Sequence, residues 1–393
     1  MKKTFLLITP FLPYNKCPHA GGQFIFKILS LLSCTYKITL VTRIEPKQKQ
    51  FLNDIKKYCN NIYTYEYKTP ISKTFTNKLS IIYSYFMLVK LAGRIIKDNS
   101  FDFIQIEFIE TGLFYFYRSS AKLIVNAHDL ISIVVKRKFK LASCFKKLIM
   151  TPKYLIIILI EKLVIYKADL VWVRSNSDKL YLMKGTFNKS IGVFPIPISN
   201  KSNIYMKEKK EYPSLLFVGA LNRKLNVDAS IYIINNILPK LREDYPEIRL
   251  VLAGNAPSEE LKCLANDNQN IEITGFVDDL ANVYQKAFIF VSPIFVGGGT
   301  IYKNLEAFSY GVPVITTDIG NYGIEARSNI EILIANNSNE FVEKIKILLH
   351  NEELYKKLEQ NGKEFVRKNF DESLIISNVV KDLNNLCGVQ NES

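Results

Sequence analysis

The chain is poor in the patterns from which metal-braced and disulfide-braced scaffolds are built. Its six cysteines, Cys17, Cys34, Cys59, Cys144, Cys263 and Cys387, are scattered, with no C-x-x-C pair and no histidine cluster beside them. That spacing argues against a structural zinc site and for a reducing compartment. Long apolar runs are missing too. The most apolar later stretch, Tyr154–Tyr166, is broken by Glu161 and Lys162, well short of the roughly 20 residues a membrane-spanning helix needs, so no transmembrane segment is expected. The opening MKKTFLLITPFLPYN has a positive start and an apolar run, but proline interrupts it and no small-residue cleavage site follows. It reads as a first strand rather than a signal peptide. No side chain stands out as a covalent nucleophile.

Acidic residues are scarce in one half only. Residues 1–200 carry 31 Lys+Arg against 11 Asp+Glu, a net +20, whereas residues 201–393 carry 21 against 26, a net −5. The densest basic run is Lys136–Lys153, where Phe139, Leu141, Phe145, Leu148 and Ile149 alternate with lysines and an arginine. Such a run suits an anionic membrane interface or a polyanion, and equally a solvated lysine face. No nucleic-acid-binding motif accompanies it.

At 393 residues, 48% of them hydrophobic, the chain has material for two substantial cores. Short apolar runs alternate with helical spacings: TFLLIT (Thr4–Thr9), KITLVT (Lys37–Thr42), FDFIQI (Phe101–Ile106), LIVN (Leu123–Asn126) and VWVR (Val171–Arg174), with a helical stretch over Leu79–Lys97. The pattern lapses in a Pro-, Ser-, Asn- and Lys-rich stretch over 195–213. It then resumes with LLFV (Leu215–Val218), a helix over Val227–Leu241, RLVLA (Arg249–Ala253), IEIT (Ile271–Thr274), FIFVS (Phe288–Ser292) and PVITT (Pro313–Thr317). Alternating strands and helices predict parallel sheets covered on both faces. The expectation is two doubly wound, Rossmann-like domains facing across a cleft: residues 1–195 and 214–371, a linker at 196–213, and a C-terminal helix and tail at 372–393 bracing the two.

The most informative stretch is VGGGTIYKNLEAFSYGVPVITT, Val296–Thr317. Glycines allow a ligand close to the backbone, Thr300 is placed to cap the helix behind it, and the free amides and dipole of that helix attract phosphate. Lys303 adds a point charge, and Glu306, on a nearby face, suits a pair of sugar hydroxyls. A tight turn with no ligand is the alternative for the glycines alone. His128, at the end of LIVNAH, reads as a functional histidine at the C-terminal end of a parallel strand, with Asp129 to orient it or to cap the next helix. His19 reads as a polar neighbour of a glycine loop. Asp278 and Asp279 read as a solvated turn or cap, with a metal role as the alternative.

The segments FVGALNRKLNVDASIYIINNILPKLREDYPEIRLVLAGNAP and ITGFVDDLANVYQKAFIFVSPIFVGGGTIYKNLEAFSYGVPVITTDIGNYGIEA resemble the donor domain of retaining GT-B glycosyltransferases of family four, the glycosyl transferases group 1. The resemblance is specific over about 215–326 and continues more weakly through the first half. It implies metal-independent transfer of a sugar from a UDP- or GDP-sugar, with no tightly bound cofactor, to a glycan or polyprenyl-diphosphate-linked acceptor of a bacterial surface polysaccharide (O-antigen, capsule or exopolysaccharide). It assigns Glu306 to the ribose, Gly298, Gly299 and Thr300 to the diphosphate with Lys303 as basic partner, and Gly275, Phe276 and Val277 to the nucleobase. Gly21 and Gly22 match the glycine loop of the first domain, and His128 the histidine beside the donor sugar. Two departures stand out. Gly298 occupies the place of an acid that many members carry, a feature shared with a GGGT-x-x-K-x-x-E branch. The basic pair after the first strand of the second domain falls on Ala220 and Leu225, which leaves Arg223 or Lys224 to substitute. The expected place is cytoplasmic, with docking on the inner face of the plasma membrane through Lys136–Lys153 as an addition. A GT-B sugar-nucleotide epimerase and a basic nucleic-acid-binding protein are the alternatives.

Overall fold

In the computed structural model, residues 2–15, 17, 20–68, 75–116, 120–141, 143–185, 190–198, 213–297 and 299–386 are described. His19, Gly298 and most of the 196–213 linker lie outside them. The chain forms two units: Met1–Phe194 with Val380–Ser393, and Pro195–Val379.

The first unit is built on a seven-stranded sheet of β1 (Thr4–Thr9), β2 (Lys37–Ile44), β3 (Asn61–Glu66), β4 (Phe103–Glu107), β5 (Lys122–Asn126), β6 (Leu170–Val173) and β7 (Ser190–Val193). Their order is β3-β2-β1-β4-β5-β6-β7, and every pair is parallel. β1 is apolar at consecutive positions because helices cover both faces of the sheet: Phe5, Leu6, Leu7 and Ile8 are all fully buried. β3 and β7 were not expected from the sequence. β3 (NIYTYE) is an edge strand with mostly half-buried or exposed residues, so it lacks the aliphatic run that marks central strands. The first half therefore does not close on VWVR, since β7 follows it.

The second unit repeats the plan with β8 (Ser214–Val218), β9 (Arg249–Ala253), β10 (Ile271–Gly275), β11 (Ile289–Ser292), β12 (Val314–Thr316) and β13 (Leu333–Ile334), ordered β10-β9-β8-β11-β12-β13. All pairs are again parallel. Leu215 and Phe217 of β8, with Ile289 and Val291 of β11, enter the core on one face. Leu216 and Val218, with Phe290, enter the core on the other. Each such buried side chain stabilises the fold by about 1.5–3 kcal/mol relative to exposure. The two-residue β13 escaped the sequence reading because it is too short to show a period.

The helix expected over Leu79–Lys97 spans Phe75–Asp98. By length and composition its Leu79–Asp98 portion is long and apolar enough to cross a membrane. In this fold it is the crossover between β3 and β4 and buries Leu88, Ala92, Ile95 and Ile96. The last helix, Glu372–Leu386, starts in the second unit and ends in the first. There Asp382 accepts a hydrogen bond from Nε1 of the fully buried Trp172 (2.8 Å). Gly192 leaves the room, because a Cβ on it would stand 2.4 Å from Asp382 Oδ2 and 2.7 Å from Trp172.

Both sheets have the order in which the chain reverses direction across the sheet, between β1 and β4 and between β8 and β11. Crevices outside the C-terminal ends of the strands at that reversal are where open α/β sheets bind ligands. In the second unit β8, β9 and β10, on one side of that reversal, run out at Gly219, Gly254 and Gly275. Gly254, with φ +154°, would place a Cβ 1.8 Å from the Gly219 carbonyl oxygen. The chains touch backbone to backbone, with Gly219 N donating to Ala253 O and Gly254 N to Gly275 O. Gly254→Ala is expected to cost about 2–4 kcal/mol in equilibrium urea unfolding, whereas a change within about 0.5 kcal/mol would show that this contact does not constrain the strand ends.

Candidate functional site

Val218 ends β8 and Gly219 follows at the reversal point. The helix Tyr302–Ser309 starts behind the β11 loop and carries Lys303 in its first turn. Lys303 Nζ donates to Asn226 Oδ1 at 2.7 Å and sits 4.1 Å from the centroid of the Phe217 ring. A Cβ at Gly219 would lie 2.7 Å from that ammonium nitrogen and 2.6 Å from Asn226 Nδ2. The amine is thus laid directly on the backbone, and only glycine leaves it that space. Burial pulls the Lys303 pKa down to about 7, Glu306 opposes the fall, and Arg223 adds to it. Glu306 Oε2 accepts from the Tyr284 hydroxyl at 3.3 Å. Burial, with Glu306 second, holds that phenol well above its ordinary range.

The loop in front of this helix is held by close packing. Gly297 and Gly299 have φ +154° and +69°, which favour glycine. The Thr300 hydroxyl donates to Gly323 O at 3.1 Å. Gly323 leaves room for the turn, since a Cβ there would meet the Gly299 carbonyl and Thr300 Oγ1 at 2.8 Å. Thr300 is therefore not the helix cap expected from the sequence. Ile301 holds that position without a side-chain cap bond, because the helix starts one residue later and the hydroxyl is spent on Gly323. Gly298 lies outside the described residues.

The two basic residues after β8 differ in their surroundings. Lys224 pairs with Asp228 on its own helix at 3.0 Å, while the Arg223 charge acts on Lys303. Gly275 ends β10 with φ +70°; Phe276 after it is strongly exposed, and Val277 is half-buried. Asp279 Oδ1 accepts from Ala281 N at 2.9 Å, at the start of the helix Ala281–Lys286, while Asp278 is exposed.

In the first unit, Gly21 and Gly22 lie in the first turn of the helix Ala20–Thr35, not in a loop before it. The helix starts ahead of them, so what they present is a helix N-terminus. Phe24 of the same helix meets the His128 ring edge-on at 6.3 Å. His128 follows β5, is buried, and has both ring nitrogens engaged. Nε2 lies 2.6 Å from Glu107 Oε2 and Nδ1 lies 2.8 Å from Arg174 Nη2. A guanidinium only donates, so Nδ1 is the acceptor and Nε2 carries the proton given to Glu107. Glu107 also accepts from Asn126 Nδ2 at 2.9 Å and from Gln105. Arg174, fully desolvated and brought down to about 10 by burial, donates to Phe194 O at 2.6 Å. Phe108, at a φ of +69° that is costly for a bulky residue, lays its ring on the imidazole at 3.8 Å and 7°. Glu107 and Arg174, rather than Asp129, thus orient this ring. Asp129 as a residue reaches solvent, but crowding by the strand ends desolvates its carboxyl and raises it to about 6, against the pull of Arg174 and with Asp178 and Glu110 adding to the rise.

Glu107, Phe108, Arg174, Asn226 and Tyr284 escaped the sequence reading. The first and third had a usable signal, a charged residue at the C-terminal end of a buried parallel strand. Among the described residues no group of three or more His, Cys, Asp or Glu side chains is placed to hold a metal ion. A hollow of about 190 Å³ lies elsewhere in the second unit, between the first residues of β8 and the helix Ala281–Lys286, and none of the residues named above as candidates lines it.

Glu107→Gln removes the buried charge that accepts from His128 and offsets Arg174 across the imidazole, and is expected to cost about 3 kcal/mol in urea unfolding. In the parent, ¹⁵N spectra should show His128 protonated on Nε2 and bare on Nδ1 at neutral pH. A protonated Nδ1 would contradict the Arg174 contact.

Comparison with known proteins bears on the fold and on the second unit. Residues 212–351 match the family model described as Glycosyl transferases group 1. A Klebsiella pneumoniae protein described as an uncharacterized 44.6 kDa protein in the cps region is 27% identical, over 93% of this chain and 97% of its own length. An uncharacterized glycosyltransferase of Methanocaldococcus jannaschii is 30% identical over 50% of this chain and 57% of its own. Among solved structures, sucrose-phosphate synthase of Thermosynechococcus elongatus superposes with a TM-score of 0.73 at 16% identity, covering 99% of this chain and 100% of that one. Anabaena HepE in complex with UDP gives 0.67 at 12% identity, covering 97% and 100%. The chain therefore has the GT-B fold of two doubly wound parallel-sheet domains, and its residues 212–351 are similar to the glycosyl transferases group 1 family.

Proposed function

We propose that the protein is a retaining glycosyltransferase that moves a sugar from a nucleotide diphosphate sugar to a glycan or lipid-linked acceptor in surface-polysaccharide synthesis. The observation that carries this reading is the Lys303 amine lying on Gly219 with Glu306 one helical turn away, at the sheet's reversal point. The relative encoded in a cps region supports the polysaccharide setting, and the HepE structure with UDP supports the donor class.

The residues divide the work by charge. Lys303, Arg223 and the amides at the start of the helix Tyr302–Ser309 take the diphosphate, and Glu306 takes the ribose hydroxyls. The helix N-terminus Gly21–Gly22 and the His128 strand end belong to the acceptor-side domain. Departure of the diphosphate builds negative charge on its oxygens and positive charge at the anomeric carbon, so positioned donors lower the barrier without an enzymic nucleophile. The epimerase alternative needs a free acid and base at one sugar carbon. His128, with both ring nitrogens spent on Glu107 and Arg174, favours transfer.

Nucleotide sugars are expected to raise the thermal midpoint of the purified chain, selectively for one base. Glu306→Ala should abolish that shift, and its persistence would remove the ribose from this residue. Proton linkage gives a second check. With a pKa of about 7, the Lys303 amine is mostly neutral in the free protein at pH 8, and a diphosphate beside it restores the charge. Nucleotide binding at pH 8 should then take up a proton, seen as calorimetric enthalpies that differ between HEPES and Tris. In Lys303→Met the buffer dependence should vanish.

A further inference from the structure

The helix Cys144–Lys167 turns its apolar side away from the protein. Its inner face is set by Glu161, Val164 and Ile165, which are buried. Glu161 accepts from Ser132 N at 3.1 Å and from the Ser132 hydroxyl, at the start of the helix Ile131–Leu141. This pair of bonds fixes the rotation of the long helix. Positions 155, 159, 163 and 166 then fall on the opposite face, at the i, i+4, i+8, i+11 spacing of a single stripe. Leu155, Ile156, Leu159, Leu163 and Tyr166 are each more than half exposed, and Phe145 and Leu148 extend the stripe at 73% exposure. This is the reverse of a surface helix that turns its polar side outward.

Lys162 and Lys167, both exposed, flank the stripe on its two sides. By sequence the two helices Ile131–Leu141 and Cys144–Lys167 hold nine Lys or Arg and one carboxylate, and that carboxylate is the buried Glu161. A second helix, Phe75–Asp98, packs like the first against the short helical segment Ile109–Phe116. It leaves Leu79, Ile82, Tyr83 and Phe86 exposed. Exposed apolar stripes of this length mark an interaction surface.

We propose that this face docks the protein on a lipid bilayer bearing anionic headgroups, with the stripe entering the acyl boundary and the flanking lysines at the phosphates. The charge selects that occupant. A second copy would bring two strongly basic faces together across a two-fold axis, whereas an anionic bilayer meets the apolar and the basic groups at once. Docking thus rests on the outer face of the Cys144–Lys167 helix, with the basic run Lys136–Lys153 adding long-range attraction. The inference is independent of the sugar-transfer reading, because none of its residues belongs to the nucleotide-sugar or His128 assemblies.

The test is co-sedimentation of the full chain with vesicles of phosphatidylcholine alone and of phosphatidylcholine mixed with phosphatidylglycerol. Binding to the mixed vesicles should exceed binding to the neutral ones by about tenfold or more and should weaken with salt. Leu155→Ser/Leu159→Ser/Leu163→Ser and, separately, Lys162→Glu/Lys167→Glu should each lower it by about tenfold or more. The thermal midpoint and the nucleotide-sugar shift should stay at the parent values, since the altered side chains are exposed and outside the donor site. Parent-level binding by the triple serine variant would overturn the proposal. So would a parent that ignores both vesicles and sediments as a dimer that the triple variant dissolves.

Discussion

The second unit is organised around a contact with no side chain on one side of it: the Lys303 amine resting on the backbone at Gly219. That contact requires glycine at 219, and Gly254, itself without a side chain, brings its backbone against the Gly219 carbonyl. The ends of β8, β9 and β10 thus draw together on one side of the sheet's reversal point. The amine gives up water to lie there, and Asn226 and the Phe217 ring replace only part of its solvation. A cation held in such surroundings is poised for an anion, because the missing solvation is what a phosphate oxygen would supply.

The first unit places its polar residues by a different route. Glu107, His128 and Arg174 come from the ends of adjacent strands β4, β5 and β6, and their side chains meet because parallel strands end level with one another. Each partner removes a freedom of the imidazole: Arg174 selects the tautomer, Glu107 fixes Nε2, and the Phe108 ring fixes the plane. The cost is borne by the backbone of Phe108, in a conformation that side chains rarely adopt. This assembly holds the ring; it leaves neither nitrogen without a partner.

The long helix Cys144–Lys167 shows how one buried carboxylate decides what a whole surface presents. In sequence, Glu161 and Lys162 look alike as interruptions of an apolar run. In the fold Glu161 points inward to Ser132 and Lys162 outward to solvent. The apolar residues on the face opposite Glu161 are left on the outside.

The sequence by itself determined the fold class, because buried parallel strands must read as short aliphatic runs and their crossovers as amphipathic helices. It also determined the loop from Gly297 to Glu306, since consecutive glycines followed by a basic and an acidic residue at helical spacing are local information. Edge strands such as β3 stayed hidden because half-exposed strands lack that aliphatic signature. Only the tertiary structure showed that Lys224 pairs with Asp228 while Arg223 comes within electrostatic reach of Lys303. Only it supplied Glu107 and Arg174 as the partners of His128, 21 and 46 residues away in the chain. Contacts between strand ends depend on strand order and register, and no local pattern of residues encodes either.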